Sequence, residues 1–406
     1  MFKSFLTMFF LGIASGLPLS LILSTLKALL VDNGFDIKTV GFFALATIPY
    51  SLKFFYAPII DSFKIPILTN LIGHRKSWII TTQLLLALFI SLLGFVTIFD
   101  SLVLIAIFAI LSAFASASQD IVIDGYRIEL FNDDDQGLAS GFYIYGYRIG
   151  LIISGAGALV LATLYQWHIV YYMMAAIFIC AILITLFIKE TRHKFSHSHK
   201  CFSSWFRKFV VVPLSEIIIR RKKSFIILSL IFSFKLADAF AGNLILPFLI
   251  DIGYSKIQIA AVLKTFGLFA ILFGVLAGGI LIKKFSIFNI LWLALIVQML
   301  SNFGFSYLAN IGVNINALYF VVFFENFSGG IGDATLVAYL SSLCNKKYAA
   351  TQYALLFSFS SIARSIFSST AGIYAQNLGW YQFFIFSAFL AIPALIFLYF
   401  LSNKKY

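Results

Sequence analysis

The first apolar stretch of the chain reads FLTMFFLGIASGLPLSLILSTLKALLV, residues 5–31, and contains a single charged side chain, Lys27. A transmembrane helix needs about 20 consecutive, mostly apolar residues to cross the hydrocarbon core of a bilayer. This stretch is longer than the apolar region of a signal peptide, and it lacks a small-residue cleavage site. We therefore interpret it as a retained transmembrane helix.

Similar apolar stretches cover nearly the whole chain. Of the 406 residues, 61% are hydrophobic and 11% are charged, whereas soluble domains carry about 25% charged residues. This composition excludes a soluble enzyme. Continuous apolar runs also exclude a β-barrel, whose strands alternate over about 10 residues. We predict an all-α integral membrane protein with twelve transmembrane helices, at 5–31, 40–61, 78–98, 101–124, 137–163, 169–188, 224–250, 257–282, 286–308, 314–341, 350–375 and 380–402.

The longest polar stretch, residues 189–223, divides these spans into two groups of six. We predict an N-terminal six-helix bundle over 1–188, a cytoplasmic basic linker over 189–223 and a C-terminal six-helix bundle over 224–406.

Loop charges predict the orientation. With the N-terminus inside, the inner segments hold 20 lysines and arginines, and the outer loops hold only Lys38 and Lys256. Cytoplasmic loops of membrane proteins carry such an excess of positive charge. We therefore expect both termini in the cytoplasm, and we explain the net charge of +13 without a nucleic-acid partner. The sequence contains neither a metal-binding cysteine pattern nor a P-loop, so we expect no metal and no cofactor.

The two groups of spans resemble each other. Residues 30–35 (LVDNGF) are matched 219 positions later by residues 249–254 (LIDIGY). Asp120 is matched 213 positions later by Asp333, and Arg148 is matched 216 positions later by Arg364. Two homologous six-helix halves around a cytoplasmic loop predict the fold of the major facilitator superfamily, in which the substrate site lies at the midplane between the halves.

Charged side chains inside the spans are candidates for function. A charge at the bilayer centre costs about 2.5–3.5 kcal/mol even on the most lenient scale, so these groups must pair or line a wet cavity. More of the deep charges are basic than acidic, which suits an anionic substrate, and guanidinium offers carboxylates a bidentate fork. The predicted substrate-binding residues are Lys27, Lys53, Arg148, Lys235, Lys264 and Arg364.

Carboxylates inside the spans are candidates for proton coupling. A proton carrier must change protonation within the cycle, and burial or a like-charged neighbour makes that possible near neutral pH. Asp120 and Asp124 are four residues apart and share a face of span four. The predicted proton-coupling residues are Asp120, Asp124, Asp238 and Glu325.

Structural alternatives remain open for these charges. Lys235 and Asp238 are three residues apart and can form a static ion pair. Asp120 and Asp124 can instead pair with Arg127 or Arg148 at the inner gate. Arg148 and Arg364 can make structural contacts with neighbouring spans.

A gate is predicted between spans two and three. Asp61 ends span two, and a Gly-His-Arg-Lys cluster follows at 73–76, similar to the gating motif of the major facilitator superfamily. The alternative is an ordinary basic inner loop. The predicted gating residues are Asp61, Arg75, Lys76 and Arg127.

Longer stretches of the chain resemble the AmpG muropeptide permeases from end to end. The most specific stretch is ASQDIV at 117–122, followed by Asp124. The others are LGIASGLPL at 11–19, STLKA at 24–28, KTVGFF at 38–43, KFFYAP at 53–58, GYRIG at 146–150, KLADAF at 235–240, KTFG at 264–267, FFEN at 323–326 and TQYAL at 351–355. Asp333 departs from the pattern, because the family has a small neutral residue there.

The resemblance implies a multi-pass permease of the bacterial inner membrane. It would import N-acetylglucosaminyl-anhydro-N-acetylmuramyl peptides from periplasm to cytoplasm for cell-wall recycling, driven by the proton gradient. The partners would be this substrate, protons and the lipid bilayer, and a monomer is favoured. Two alternatives remain: a transporter of another anionic metabolite, and a membrane enzyme or sensor. An enzyme should show a catalytic cluster near the membrane surface, and no nucleophile–base pair stands out in the 189–223 loop.

Overall fold

The computed structural model describes residues 2–35, 43–99, 101–191, 207, 211–219 and 223–402. Lys38, the start of the second predicted span and most of the 189–223 linker lie outside this range, as do the side chains of Lys256 and Lys264. The described residues form helices joined by short turns.

We number the spans in the predicted order, and most of them coincide with one or two helices. The helices are, in order, Phe2–Ile22 and Ser24–Asp32 in span one, Ile48–Ser51 and Lys53–Ser62 in span two, His74–Val96 in span three, Leu102–Leu130 in span four, Asp133–Ile152 and Ala158–Ala162 in span five, Trp167–Leu186 in span six, Ser224–Ser233, Leu236–Gly242 and Ile245–Asp251 in span seven, Lys256–Ile259 and Gly267–Lys284 in span eight, Ile287–Ile311 in span nine, Ile315–Leu343 in span ten, Ala349–Phe389 in spans eleven and twelve, and Ile392–Ser402 in span twelve.

Nine helical segments among the described residues are long and apolar enough to cross a membrane. The three other predicted spans are two, ten and eleven, and each is helical in the described residues. Span two is broken into short helices, and span ten carries Glu325 and Asp333. Polar residues lower the mean hydropathy of span ten, and polar groups within a bilayer must face protein or water rather than lipid.

Gly379 separates spans eleven and twelve. Its φ of 72° is non-helical and interrupts the 41-residue helix Ala349–Phe389. Glycine adopts this left-handed conformation without the steric penalty of a Cβ atom. The boundary lies between the two predicted spans, 350–375 and 380–402.

The predicted repeat is visible where spans one and seven end. The N–H of Phe35 donates to the carbonyl of Leu30 at 3.0 Å, and the N–H of Tyr254 donates to that of Leu249 at 3.0 Å. One glycine lies within each of these turns, and both have positive φ: 81° at Gly34 and 103° at Gly253. These are the hydrogen bond and the glycine of a Schellman helix end.

A tryptophan contacts each of these helix ends. Trp167 Nε1, at the start of span six, donates to Asp32 Oδ2 at 3.1 Å. Trp380 Nε1, at the start of span twelve, donates to Asp251 Oδ2 at 2.6 Å. The same indole–carboxylate contact therefore occurs once in each half.

The chain divides into two compact units. Unit 1 contains residues 1–132, 142–213 and 344–355, and unit 2 contains residues 133–141, 214–343 and 356–406. Each unit has its own apolar core. The core of unit 1 draws on spans one to six, and that of unit 2 draws on spans seven to twelve.

Candidate functional site

Unit 1 contains a buried ion cluster at the predicted gate. Arg75 Nη2 contacts Asp61 Oδ1 at 2.8 Å and Glu129 Oε1 at 2.6 Å. Arg75 Nε also donates to Glu129 Oε1, at 3.1 Å. The side chains of Arg75 and Asp61 are fully buried. A buried charge must be paired and hydrogen-bonded, and the two carboxylates supply those partners.

Asp61 also contacts the start of span eleven. Its Oδ2 accepts the backbone N–H of Thr351 at 2.8 Å and the Thr351 hydroxyl at 2.7 Å. Thr351 is the third residue of the helix Ala349–Phe389, so its N–H has no partner inside the helix. A carboxylate is favourable there because it faces the positive end of the helix dipole.

Glu190 plays the same part at the start of span three. Its two carboxylate oxygens accept the backbone N–H groups of Arg75 at 2.9 Å and Lys76 at 3.0 Å. Burial raises the pKa of Glu190, and these two N–H donors partly oppose the rise. Gly73 precedes this helix with φ 95°, and a Cβ atom there would collide with the Glu190 carboxylate.

Three gate residues were not predicted from the sequence: Glu129, Glu190 and Thr351. A signal was available for the first two, because each is an unassigned carboxylate a few residues beyond the end of a predicted span. No local pattern marks Thr351. Of the predicted gate residues, Asp61 and Arg75 belong to the ion cluster, whereas Lys76 Nζ donates to the carbonyl of Leu186 at 2.8 Å on the exposed surface.

Span four supplies a second charged group in unit 1. Arg127 is fully buried and contacts Asp124 Oδ1 at 3.1 Å. Its guanidinium also lies 5.2 Å from the centre of the Tyr353 ring, within the range of a cation–π contact. The predicted alternative, in which Asp124 pairs with Arg127, is therefore present in the structure.

Asp120 has different surroundings. It is 8% exposed, and the nearby charges that act on it are Lys53 and Asp124. Its Oδ1 atom is buried and has no hydrogen bond among the described residues. The side chains of Tyr50, Tyr56, Tyr143 and Tyr147 all lie within electrostatic range of Asp120.

Unit 2 contains an ion cluster around Lys235. Lys235 Nζ contacts Asp238 Oδ2 and Asp333 Oδ1, both at 2.9 Å, and donates to the carbonyl of Gly329 at 3.3 Å. The lysine side chain is 3% exposed, whereas the two aspartates are 24% and 28% exposed. The local pair expected from the spacing is therefore present, with Asp333 as an additional partner that was not assigned a role.

Glu325 lies close to this cluster. Asp238, Lys235 and Asp333 act on it electrostatically, and its Oε2 accepts Asn326 Nδ2 at 2.6 Å. The group therefore holds three carboxylates against one ammonium, so the accessible part of the cluster is acidic.

The remaining predicted substrate-binding residues are spread over both units. Lys27 and Arg148 are half-buried in unit 1, and Arg148 acts electrostatically on Tyr147. In unit 2, the guanidinium of Arg364 lies 5.9 Å from the centre of the Phe357 ring.

Comparisons with known proteins agree with the fold. The model of the Major Facilitator Superfamily matches residues 8–368. AmpG 4 of Rickettsia conorii is 39% identical over 98% of this chain and 96% of its own length. The anhydromuropeptide permease of Escherichia coli is 37% identical over 96% of this chain and 77% of its own length. The crystal structure of the E. coli fucose:proton symporter FucP superposes with a TM-score of 0.70 at 16% identity, covering 99% of this chain and 98% of that chain.

Proposed function

Because the chain belongs to the major facilitator superfamily and is a relative of the AmpG permeases, we propose that it is a proton-coupled importer of anhydro-muropeptides. It would carry them from periplasm to cytoplasm for cell-wall recycling, across a bacterial inner membrane. The observation that carries this proposal is the 37% identity to the anhydromuropeptide permease of E. coli over 96% of the chain.

The cations of unit 1 support an anionic substrate. Lys27, Lys53 and Arg148 carry positive charges within spans of unit 1, as does Arg127, which contacts Asp124. Carboxylates of the substrate would bind these groups, and Arg148 can offer a bidentate fork. Lys235 is a weaker candidate, because it already contacts two carboxylates and an anion would have to displace one of them.

Carboxylates in both units support proton coupling. Asp120 has the buried, unpartnered oxygen expected of a group that spends part of the cycle protonated. Glu325 and Asp238 lie beside a lysine and a further carboxylate. Protonation of one carboxylate would therefore change how strongly the lysine binds the others. Asp124 is the candidate most engaged in a structural contact, because it pairs with Arg127.

The Asp61 cluster supports an inner gate. Asp61 connects span two to the start of span eleven through Thr351, and Arg75 connects it to span four through Glu129. Alternating access requires that contacts of this kind form in one state and break in another. We assign Asp61, Arg75, Glu129 and Thr351 to that gate.

A transporter of another anionic metabolite is the alternative function. The experiment that separates the two is uptake of labelled anhydro-muropeptide by cells that lack their own permease and express this chain. Unlabelled anhydro-muropeptide should compete with the labelled substrate, and unrelated dicarboxylates and sugar phosphates should not. Competition by a metabolite, without uptake of the muropeptide, would favour the alternative.

A further inference from the structure

Unit 1 contains a set of buried polar atoms that, apart from the Asp120 oxygen, have no role in the proposed cycle. The side-chain oxygens of Ser15, Tyr50, Ser112 and Ser116, both polar atoms of the Gln119 amide and Oδ1 of Asp120 are buried. None of them has a hydrogen bond among the described residues. Buried polar groups in proteins are almost always hydrogen-bonded, so seven such atoms in one unit require an explanation.

Most of these atoms lie on one face of span four. Ser112, Ser116 and Asp120 follow one another at intervals of four residues, and Gln119 follows Ser116 at three. Residues three and four apart lie on the same side of a helix. From Ser112 to Asp120 this polar row extends about 12 Å along the helix axis.

Spans one, two and five place further polar groups beside the row. Ser15 is close enough to Asp120 and Tyr143 to interact with both, and Tyr50 is close enough to Ser116 and Asp120. These contacts do not meet hydrogen-bond geometry, so each atom can still form a hydrogen bond with another partner. Their neighbours are held differently: the Ser118 hydroxyl donates to the carbonyl of Phe114 at 2.8 Å.

We propose that Ser15, Tyr50, Ser112, Ser116, Gln119 and Asp120 form the subsite for the sugar portion of the substrate, binding its hydroxyl and acetamido groups. This inference rests on the proposed function and adds the location of one part of the substrate.

The chemistry of the row fits a sugar. Hydroxyls donate and accept, the Gln119 amide does both through separate atoms, and Asp120 accepts when ionised. A sugar hydroxyl also donates and accepts, so it can satisfy such a set without adding a charge. A row of about 12 Å is long enough to engage more than one sugar ring. Tyr143 and Tyr147 lie beside Asp120 and supply aromatic rings that can pack against a pyranose face.

The test uses two substitutions that remove one hydroxyl each, Ser116→Ala and Tyr50→Phe. Their matched controls are Ser118→Ala and Tyr56→Phe, because these hydroxyls already donate to backbone carbonyls within unit 1. We would measure KM and Vmax for labelled anhydro-muropeptide, inhibition by the peptide-free GlcNAc-anhydroMurNAc disaccharide, and the melting temperature of each purified protein.

The inference predicts a rise in KM of about fivefold for Ser116→Ala and for Tyr50→Phe, from the loss of one hydrogen bond to substrate. The inhibition constant of the disaccharide should rise by the same factor, because the sugar end is common to both ligands. The melting temperature should stay unchanged or increase, because each substitution removes an unsatisfied polar atom from the free protein. Both controls should keep the wild-type KM.

Three results would overturn the inference. One is an unchanged KM in both variants, and another is a KM that rises only together with a lower melting temperature. The third is an unchanged KM with a loss of accumulation against a gradient, which would indicate a proton-conducting water chain instead. In all three cases the wild-type protein still transports anhydro-muropeptide. If the wild-type protein does not transport it, the proposed function fails, and this inference fails with it.

Discussion

Asp61 is fully buried and gives each of its two carboxylate oxygens a different partner. One oxygen contacts Arg75 at 2.8 Å, and the other accepts two hydrogen bonds from Thr351. An amide in place of the carboxylate would keep one acceptor oxygen but lose the negative charge. Without that charge, Glu129 would be the remaining anionic partner of the buried Arg75 guanidinium in this cluster.

We predict that Asp61→Asn destabilises the protein by about 2 kcal/mol, less than the 3–5 kcal/mol for breaking an isolated buried pair. Thermal unfolding of the purified protein measures this loss. Thr351→Val is the matched variant, because it removes the Thr351 hydroxyl and keeps the backbone N–H and the charge of Asp61. It should cost about 1 kcal/mol. Equal losses in the two variants would mean that the charge of Asp61 contributes no more than one hydrogen bond.

A second residue-scale prediction concerns Asp120, Asp124 and Glu325. If one of them carries the proton, its amide variant mimics the permanently protonated form. Such a variant should still exchange substrate across the membrane but should fail to accumulate it against a gradient. Counterflow in proteoliposomes, measured beside uncoupler-sensitive uptake, separates the two activities. We expect this separation for Asp120→Asn or Glu325→Gln.

Asp124→Asn should behave differently, because Asp124 contacts Arg127 at 3.1 Å. Loss of that partner leaves a buried guanidinium without its carboxylate, so exchange and accumulation should both fall. Full accumulation by all three variants would remove all three carboxylates from the proton path.

At the scale of elements, spans one and five approach each other through glycines. A Cβ atom at Gly12 would collide with the carbonyl oxygen of Tyr143, and one at Gly16 with that of Tyr147. On span five, a Cβ atom at Gly146 would collide with the carbonyl oxygen of Phe9 on span one. Small residues allow the backbones of two membrane helices to pack closely.

We predict that Gly16→Ala lowers the melting temperature, because the carbonyl it would collide with belongs to the backbone and cannot rotate away. Gly372→Ala is the control, since nothing lies within 4 Å of a Cβ atom there. Alanine favours the helical conformation over glycine by about 1 kcal/mol, so this variant should be as stable as the wild type or more so. The same loss in both variants would contradict the close-packing explanation, because helix propensity alone favours alanine over glycine.

Much of this architecture could be predicted from the sequence, because membrane spans are marked by hydrophobic runs about 20 residues long. The repeat was also visible, since Asp32-Asn33-Gly34 and Asp251-Ile252-Gly253 end equivalent helices. The tryptophan contacts at these ends could not be predicted. Trp167 and Asp32 are 135 residues apart, and no local pattern connects them.

The ion clusters were predictable only where both partners lie on one helix. Lys235 and Asp238 are three residues apart, so their contact follows from helix geometry. The contact of Lys235 with Asp333 joins spans seven and ten, and that of Asp61 with Thr351 joins residues 290 positions apart. Such contacts depend on how the spans pack, which hydrophobic patterning does not encode.

At the scale of the whole molecule, the loop charges predict both termini in the cytoplasm. An alkaline phosphatase fused after residue 406 should therefore be inactive, because it would remain in the reducing cytoplasm. The matched fusion within the outer loop after residue 312 should be active. The reverse pattern would contradict this orientation.

We propose above that this chain uses the proton gradient to accumulate anhydro-muropeptide. The most direct measurement is the internal concentration of labelled anhydro-muropeptide in cells that lack their own permease, with and without this chain and with and without an uncoupler. We predict accumulation above the external concentration that depends on the chain and collapses when the uncoupler is added. Absence of uptake by correctly inserted protein, or accumulation that persists in the presence of the uncoupler, would contradict the claim.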